Sequence, residues 1–146
     1  GPAMARLAMT FESVDAYRAY WKPQAAFIKG WSPVLDEYIE YDLQGTAPSL
    51  KARTNPKAVE EDSEDLFVSK LIEKTLEKLT SDVLFIRAVR GLQNEEGGLY
   101  PEPVLAAVLP KYPKLKLHTI ADTNHYDILL AEVGAEAVAQ LIYGDK

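Results

Sequence analysis

The sequence contains no cysteine, which excludes disulfides and thiolate metal sites and permits a reducing compartment. Basic charge is also scarce. Sixteen lysines and arginines against 22 aspartates and glutamates leave a formal charge of −6 at pH 7. That balance argues against non-specific nucleic-acid binding, which needs a basic stripe along the phosphates. No apolar run approaches the ~18 residues of a membrane span, and no signal-peptide pattern is present. A cytoplasmic chain with neither nucleic acid nor membrane as partner is expected. His118 and His125, separated by half a strand and unsupported by cysteine, lack metal-ligand spacing. Gly97-Gly98 is an isolated pair after two acids, wrong for a phosphate loop. No metal or other cofactor is expected.

What is present suffices for a core: 146 residues, 47% of them hydrophobic, are those of one ordinary domain. Gly1-Pro2-Ala3-Met4 has the look of a cleavage and cloning scar and is set aside. Ser13 or Thr10 can cap a first helix that carries Val14, Tyr17 and Trp21 on one face and ends at Pro23. Ser32-Pro33 opens a second helix, running through Leu35, Tyr38 and Ile39 to about Asp42. Gln44 to Arg53, with Gly45, Pro48 and Ser49, reads as a loop. Asn55-Pro56 begins an acidic helix. Val68, Leu71, Ile72, Thr75, Leu76 and Leu79 form one stripe at a 3.6-residue period, predicting an amphipathic helix against a sheet.

The rest of the chain is arranged around residues 81–126. Val83-Leu84-Phe85-Ile86 opens a strand over Val83–Val89, suited to burial on both faces, which stops at a polar loop containing Gly91. Pro101 opens a helix to Leu109, with Val104, Leu105, Val108 and Leu109 at helical spacing. Pro110 and Pro113 break it, and Leu115–Ile120 forms a second strand. A strand–helix–strand unit of this kind predicts parallel strands and a right-handed crossover. Lys116 alternating with Leu115 and Leu117 suits an edge position. Past that strand stands His125, where open α/β sheets put their chemistry.

The order of strand, RGLQNEEGGLYP loop, helix, strand, DTNHY and a closing GAEAVAQLI helix resembles the C-terminal third of an α/β-hydrolase. The preceding AYRAYW, GWSPVLDEYIEYDL and NPKAVEEDSEDL strings are similar to the helical cap inserted before that third. The resemblance implies an α/β fold in part: a helical cap over residues 5–65 and a small parallel-strand portion over residues 66–146. It also exposes an absence. The family nucleophile sits in G-x-S-x-G, and none of Ser13, Ser32, Ser49, Ser63, Ser69 or Ser81 has the flanking glycines. The chain therefore looks like a fragment without its nucleophile.

By the resemblance, His125 takes the place of the triad base; the alternative is a loop histidine with a structural hydrogen bond. The acid is expected after the first strand, where Val89-Arg90-Gly91 stands instead, and arginine has donors only. Glu95 and Glu96 are the substitutes in reach, or else a solvated acidic loop. Among the aromatic residues crowding the first third, Trp31, Tyr17 and Trp21 are candidates for a substrate pocket wall, or belong to the cap's own core. The whole enzyme is expected to hydrolyse an ester, lactone or amide of a small apolar substrate. This chain alone is expected to be inactive. The alternative is a hydrolase-derived binding or interaction module without catalysis. Either way the first strand should want a neighbour, from a missing N-terminal half or from self-association into a two-fold dimer.

Overall fold

The computed structural model describes residues 2–28, 30–67 and 70–144. They fall into two compact units, Gly1–Ile72 and Glu73–Lys146. No described helix is long and apolar enough to cross a membrane.

In the first unit, α1 (Pro2–Ala5) is a single turn followed by a 3-10 turn, Arg6–Ala8. Helix α2 (Val14–Trp21) starts where the Ala16 N–H donates to Ser13 Oγ at 3.1 Å, and α3 (Pro33–Tyr41) where the Leu35 N–H donates to Ser32 Oγ at 3.0 Å. Both caps satisfy a first-turn donor that has no partner within its helix. The stretch expected to be a loop instead holds an antiparallel ribbon of β1 (Leu43–Gln44) and β2 (Lys51–Ala52). Two-residue strands are too short to show alternation. Buried Leu43 and Ala52 and the Arg53 guanidinium, bonded to the carbonyls of Tyr41 and Leu43, hold the ribbon. Helix α4 (Pro56–Phe67) follows, its start marked by Asn55 Oδ1 accepting from the Lys57 N–H at 2.9 Å.

The core of this unit is aromatic. Phe11, Tyr17, Trp21, Phe27 and Trp31 form a chain of edge-on ring contacts, with centroids 4.6 to 6.1 Å apart. At its centre Tyr17 is wholly buried, and its hydroxyl donates to Asp42. Arg6 Nε donates to both, at 2.8 Å to Tyr17 and 2.9 Å to Asp42. Each of the three charges or dipoles thus has a partner, as burial requires.

Helix α5 (Leu71–Leu76) lies across the boundary between the units and buries none of its residues. The expected stripe is exposed at Leu71 and Ile72, and Val68 lies outside the described residues. The period of 3.6 marks a helix here, with Leu76 and Leu79 half-buried where Leu71 and Ile72 are exposed.

In the second unit, β3 (Val83–Ala88) and β4 (Leu115–Ile120) are parallel, in register from Val83 opposite Leu115 to Ala88 opposite Ile120. Helix α6 (Glu102–Val108) makes the crossover and buries Leu105. Then come α7 (Asp127–Leu130) and α8 (Glu132–Tyr143). These two approach so closely that a β-carbon at Gly134 would lie 2.2 Å from the Asp127 carbonyl oxygen. Contrary to expectation, β3 is not buried along its length: Val83 and Leu84 are exposed, and burial is complete only at Arg87 and Ala88. Among the described residues β3 pairs with β4 alone.

Leu105→Asp is expected to cost about 3 kcal/mol or more in urea melts of the second unit's signal, because it buries an unpaired charge. The pH dependence of stability has a separate source. Burial first, and the hydrogen bond to Asp42 second, push the Tyr17 hydroxyl above its ordinary value of 10. Folded Tyr17 holds its proton where an unfolded tyrosine loses it, so this stability is complete below pH 10 and declines as pH rises beyond it. Melts on either side of pH 10 should show the decline, and Tyr17→Phe should remove that part of it.

Candidate functional site

Parallel strands end on the same side, so the β3–β4 ladder brings two loops together at its carboxyl end. The loop after β3 begins with Val89-Arg90-Gly91; the loop after β4 carries Asp122 to Tyr126. They are joined directly. The Arg90 N–H donates to the Thr123 carbonyl at 3.1 Å, and Arg90 Nη2 donates to the Asp122 carbonyl at 2.7 Å. Arg90 Nε donates to Asn94 Oδ1 at 2.8 Å, with Asn94 itself at φ 63°, a left-handed conformation that asparagine tolerates. So the residue standing where an acid was expected is a tie between the two loops.

The β4 loop is stiffened by its own side chains. Asn124 is buried, and its Oδ1 accepts from the N–H groups of Tyr126 and Asp127, both at 2.9 Å. Asp127 Oδ2 accepts the Asn124 N–H at 3.1 Å, and Thr123 Oγ1 donates to the Ile120 carbonyl at 2.9 Å. Such an asparagine turn offers the backbone partners that no strand or helix supplies. On this frame His125 is exposed, with a ring contact to Tyr126 at 5.9 Å.

His125 lines an open cavity of about 500 Å³ with Arg90, the β3 residues from Leu84 to Ala88, Leu99, Tyr100, Ile128, Leu129 and Val138. The lining is largely apolar, with two guanidinium groups and no carboxylate. Arg87 is spoken for: its Nε donates to Thr119 Oγ1 at 2.9 Å, and its other nitrogens to the Tyr100 carbonyl and to Glu102. Arg90 has no ion pair among the described residues, so the charge of the cavity is that of Arg90.

The sequence candidates separate. Glu95 turns its carboxylate back to the Gln93 N–H at 2.7 Å, and Glu96 pairs through its backbone with Arg90. Neither is hydrogen-bonded to His125 among the described residues. Tyr17 and Trp21 are buried in the core of the first unit. Trp31 is half-buried, donating from Nε1 to Asp36 Oδ1 at 2.8 Å, and lies under Lys22. That bond, together with Arg18, holds the Asp36 carboxyl below its ordinary range. The tie made by Arg90 and the turn made by Asn124 were not legible in the sequence. Their signal was faint: an arginine directly after a strand, and an asparagine three residues before an aspartate. Chemically the cavity offers an exposed imidazole, a nearby cation and an apolar floor. No serine, threonine or cysteine lines it.

No protein-family model matches the sequence, and no curated protein matches it. Two solved structures share its architecture. One is the E-2-(acetamidomethylene)succinate hydrolase, with a TM-score of 0.69 and 17% identity over 95% of this chain and 50% of that one. The other is a protein from Rickettsia typhi described as a hydrolase, with a TM-score of 0.63 and 12% identity over 99% of this chain and 47% of that one. This chain therefore has part of an α/β-hydrolase-like fold, and spans about half the length of the structures it resembles.

Asn124→Ala leaves two part-buried backbone donors without their acceptor. It is expected to cost about 2 kcal/mol and to broaden the His125 ring resonances in NMR spectra. Asn124→Asp, which keeps an acceptor oxygen, should retain most of the stability.

Proposed function

We propose that this chain, with its part of an α/β-hydrolase-like fold, is the cap and C-terminal portion of a serine hydrolase acting on an ester, lactone or amide of a small apolar substrate. The observation that carries the proposal is the position of His125. It follows the last parallel strand on a loop held by Asn124 and Arg90, and it opens on an apolar cavity at the ladder's carboxyl end. In the whole enzyme His125 is the general base that takes the proton of a serine hydroxyl and passes it to the leaving group. Arg90 holds the loop, and the exposed leucines of the cavity receive the apolar part of the substrate. The serine and the donors for the oxyanion come from the half of the fold that this chain does not span. Alone, the chain is inactive.

A second reading is favoured by one observation: Arg90 occupies the place of an acid, and neither Glu95 nor Glu96 is bonded to His125. On that reading the chain is a binding or interaction module descended from a hydrolase. Catalysis separates the two.

Incubated with p-nitrophenyl butyrate, the purified chain is expected to turn over no faster than a surface histidine allows. Turnover that survives re-purification and vanishes in His125→Ala would overturn the inactivity of the lone chain. Joined to a first half carrying G-x-S-x-G, the chain is expected to gain ester turnover that His125→Ala lowers by at least about a thousandfold. A joined protein that folds but shows no dependence on His125 supports the binding module.

A further inference from the structure

Every group that Arg90 bonds among the described residues is neutral. Its Nε donates to the Asn94 amide oxygen at 2.8 Å, its Nη2 to the Asp122 carbonyl at 2.7 Å, and its backbone N–H to the Thr123 carbonyl at 3.1 Å. Nη1 donates to no described residue. A carbonyl oxygen accepts from a neutral donor as well as from a guanidinium. The tie between the two loops therefore accounts for the shape of this side chain and leaves its charge unused. Arg87, the other guanidinium of the cavity, differs. Glu102 pairs with it, and Thr119 Oγ1 and the Tyr100 carbonyl accept from its other nitrogens.

The place of that charge is fixed by the loops and not by a strand edge. Arg90 follows the end of β3 and is tied to residues that follow the end of β4. On one side it lines the cavity of about 500 Å³ that His125 also lines, where Leu99, Ile128, Leu129 and Val138 present apolar surface. On the other it borders a smaller recess with Glu96 and Glu102, and it forms an ion pair with neither. The His125 cavity thus carries one positive charge unmatched by any described acid. Arg90 is half-buried against apolar neighbours. An anion brought there is attracted more strongly than it would be in open water.

We propose that Arg90 binds a carboxylate on the substrate, so that the ester, lactone or amide cleaved at this site is an otherwise apolar molecule bearing one acidic group. The proposal rests on the hydrolytic reading of the cavity and narrows its substrate. One unmatched guanidinium calls for one negative charge. A second would find no partner, since the only other guanidinium in the lining already has Glu102. A planar guanidinium meets a carboxylate through two parallel bonds, and the donors left to Arg90 are those of Nη1 and the second hydrogen of Nη2. The apolar lining receives the chain that carries the acid, and a cavity of this volume suits a small ligand. Because His125 shares the cavity, the acid and the scissile bond belong to one small molecule.

The probes are hexanoate and hexanamide, alike in length and different in charge. Each is titrated into the full chain and followed by NMR at the Arg90 Nε–H and the His125 backbone N–H. Hexanoate is expected to shift both signals saturably and to bind at least about tenfold more tightly than hexanamide, as a charge-assisted bond implies. Added sodium chloride should weaken hexanoate and leave hexanamide unchanged. Arg90→Gln, read at His125, should bring the two ligands within about twofold of each other, while Arg90→Lys keeps a charge and with it a preference for the acid. Where Arg90→Gln loosens the loops, the two ligands compared on the unaltered chain still decide. Three results would overturn the proposal: no saturable shift with hexanoate, equal affinity for both ligands, or a preference for hexanoate that survives Arg90→Gln. The hydrolytic reading stands or falls separately, on His125-dependent turnover of the neutral ester p-nitrophenyl butyrate by the joined protein.

Discussion

Parallel pairing of Val83–Ala88 with Leu115–Ile120 is the contact on which the second unit hangs. Two strands running the same way cannot be joined by a turn, so the chain must leave the sheet and come back. That detour is α6, and its return buries Leu105. The same geometry ends both strands side by side, which is why loops 32 residues apart in sequence share the Arg90 tie to Asp122. An antiparallel pair with the same residues would have put those loops at opposite ends. Two strands alone are marginal in water, so the helices packed on the ladder are part of what lets it stand.

Arginine does comparable structural work in both units, joining segments that are far apart in sequence. Arg6 leaves a 3-10 turn and reaches Tyr17 and Asp42 in the aromatic core. Arg87 lies mid-strand, buried, and gathers Thr119, the Tyr100 carbonyl and Glu102 around one guanidinium. A planar group with five donors can serve several acceptors that point in different directions. A buried ion pair is weak evidence of net stability. What these arginines fix is which loop lies against which strand.

Much of the second unit was legible because its signals were punctuated. β-Branched and aromatic runs bounded by glycine and proline gave both strands, and β4 begins and ends where the alternation does. Ser13 and Ser32 marked their helices because a cap is a local event, decided by residues two or three apart. The ribbon of β1 and β2 was hidden, since two residues carry no period and Arg53 reaches it from outside both strands. The exposure of Leu71 and Ile72 was hidden for the opposite reason: their period is clear, but periodicity does not say whether a partner surface is present. At the site, His125 could be placed from its position after a strand. The role of Arg90 could not, because its partners are backbone carbonyls, and every residue type has one.

Gly134 has no side chain, no charge and no place in the cavity, yet the tight crossing of α7 and α8 leaves it no room to change. Its neighbour Val133 faces solvent and is free of that constraint. Among variants of this chain, position 134 should therefore stay fixed as stubbornly as a catalytic histidine, while position 133 drifts. Invariance of the two kinds looks the same in a column of letters. Here one would record chemistry, and the other only the distance between two helices.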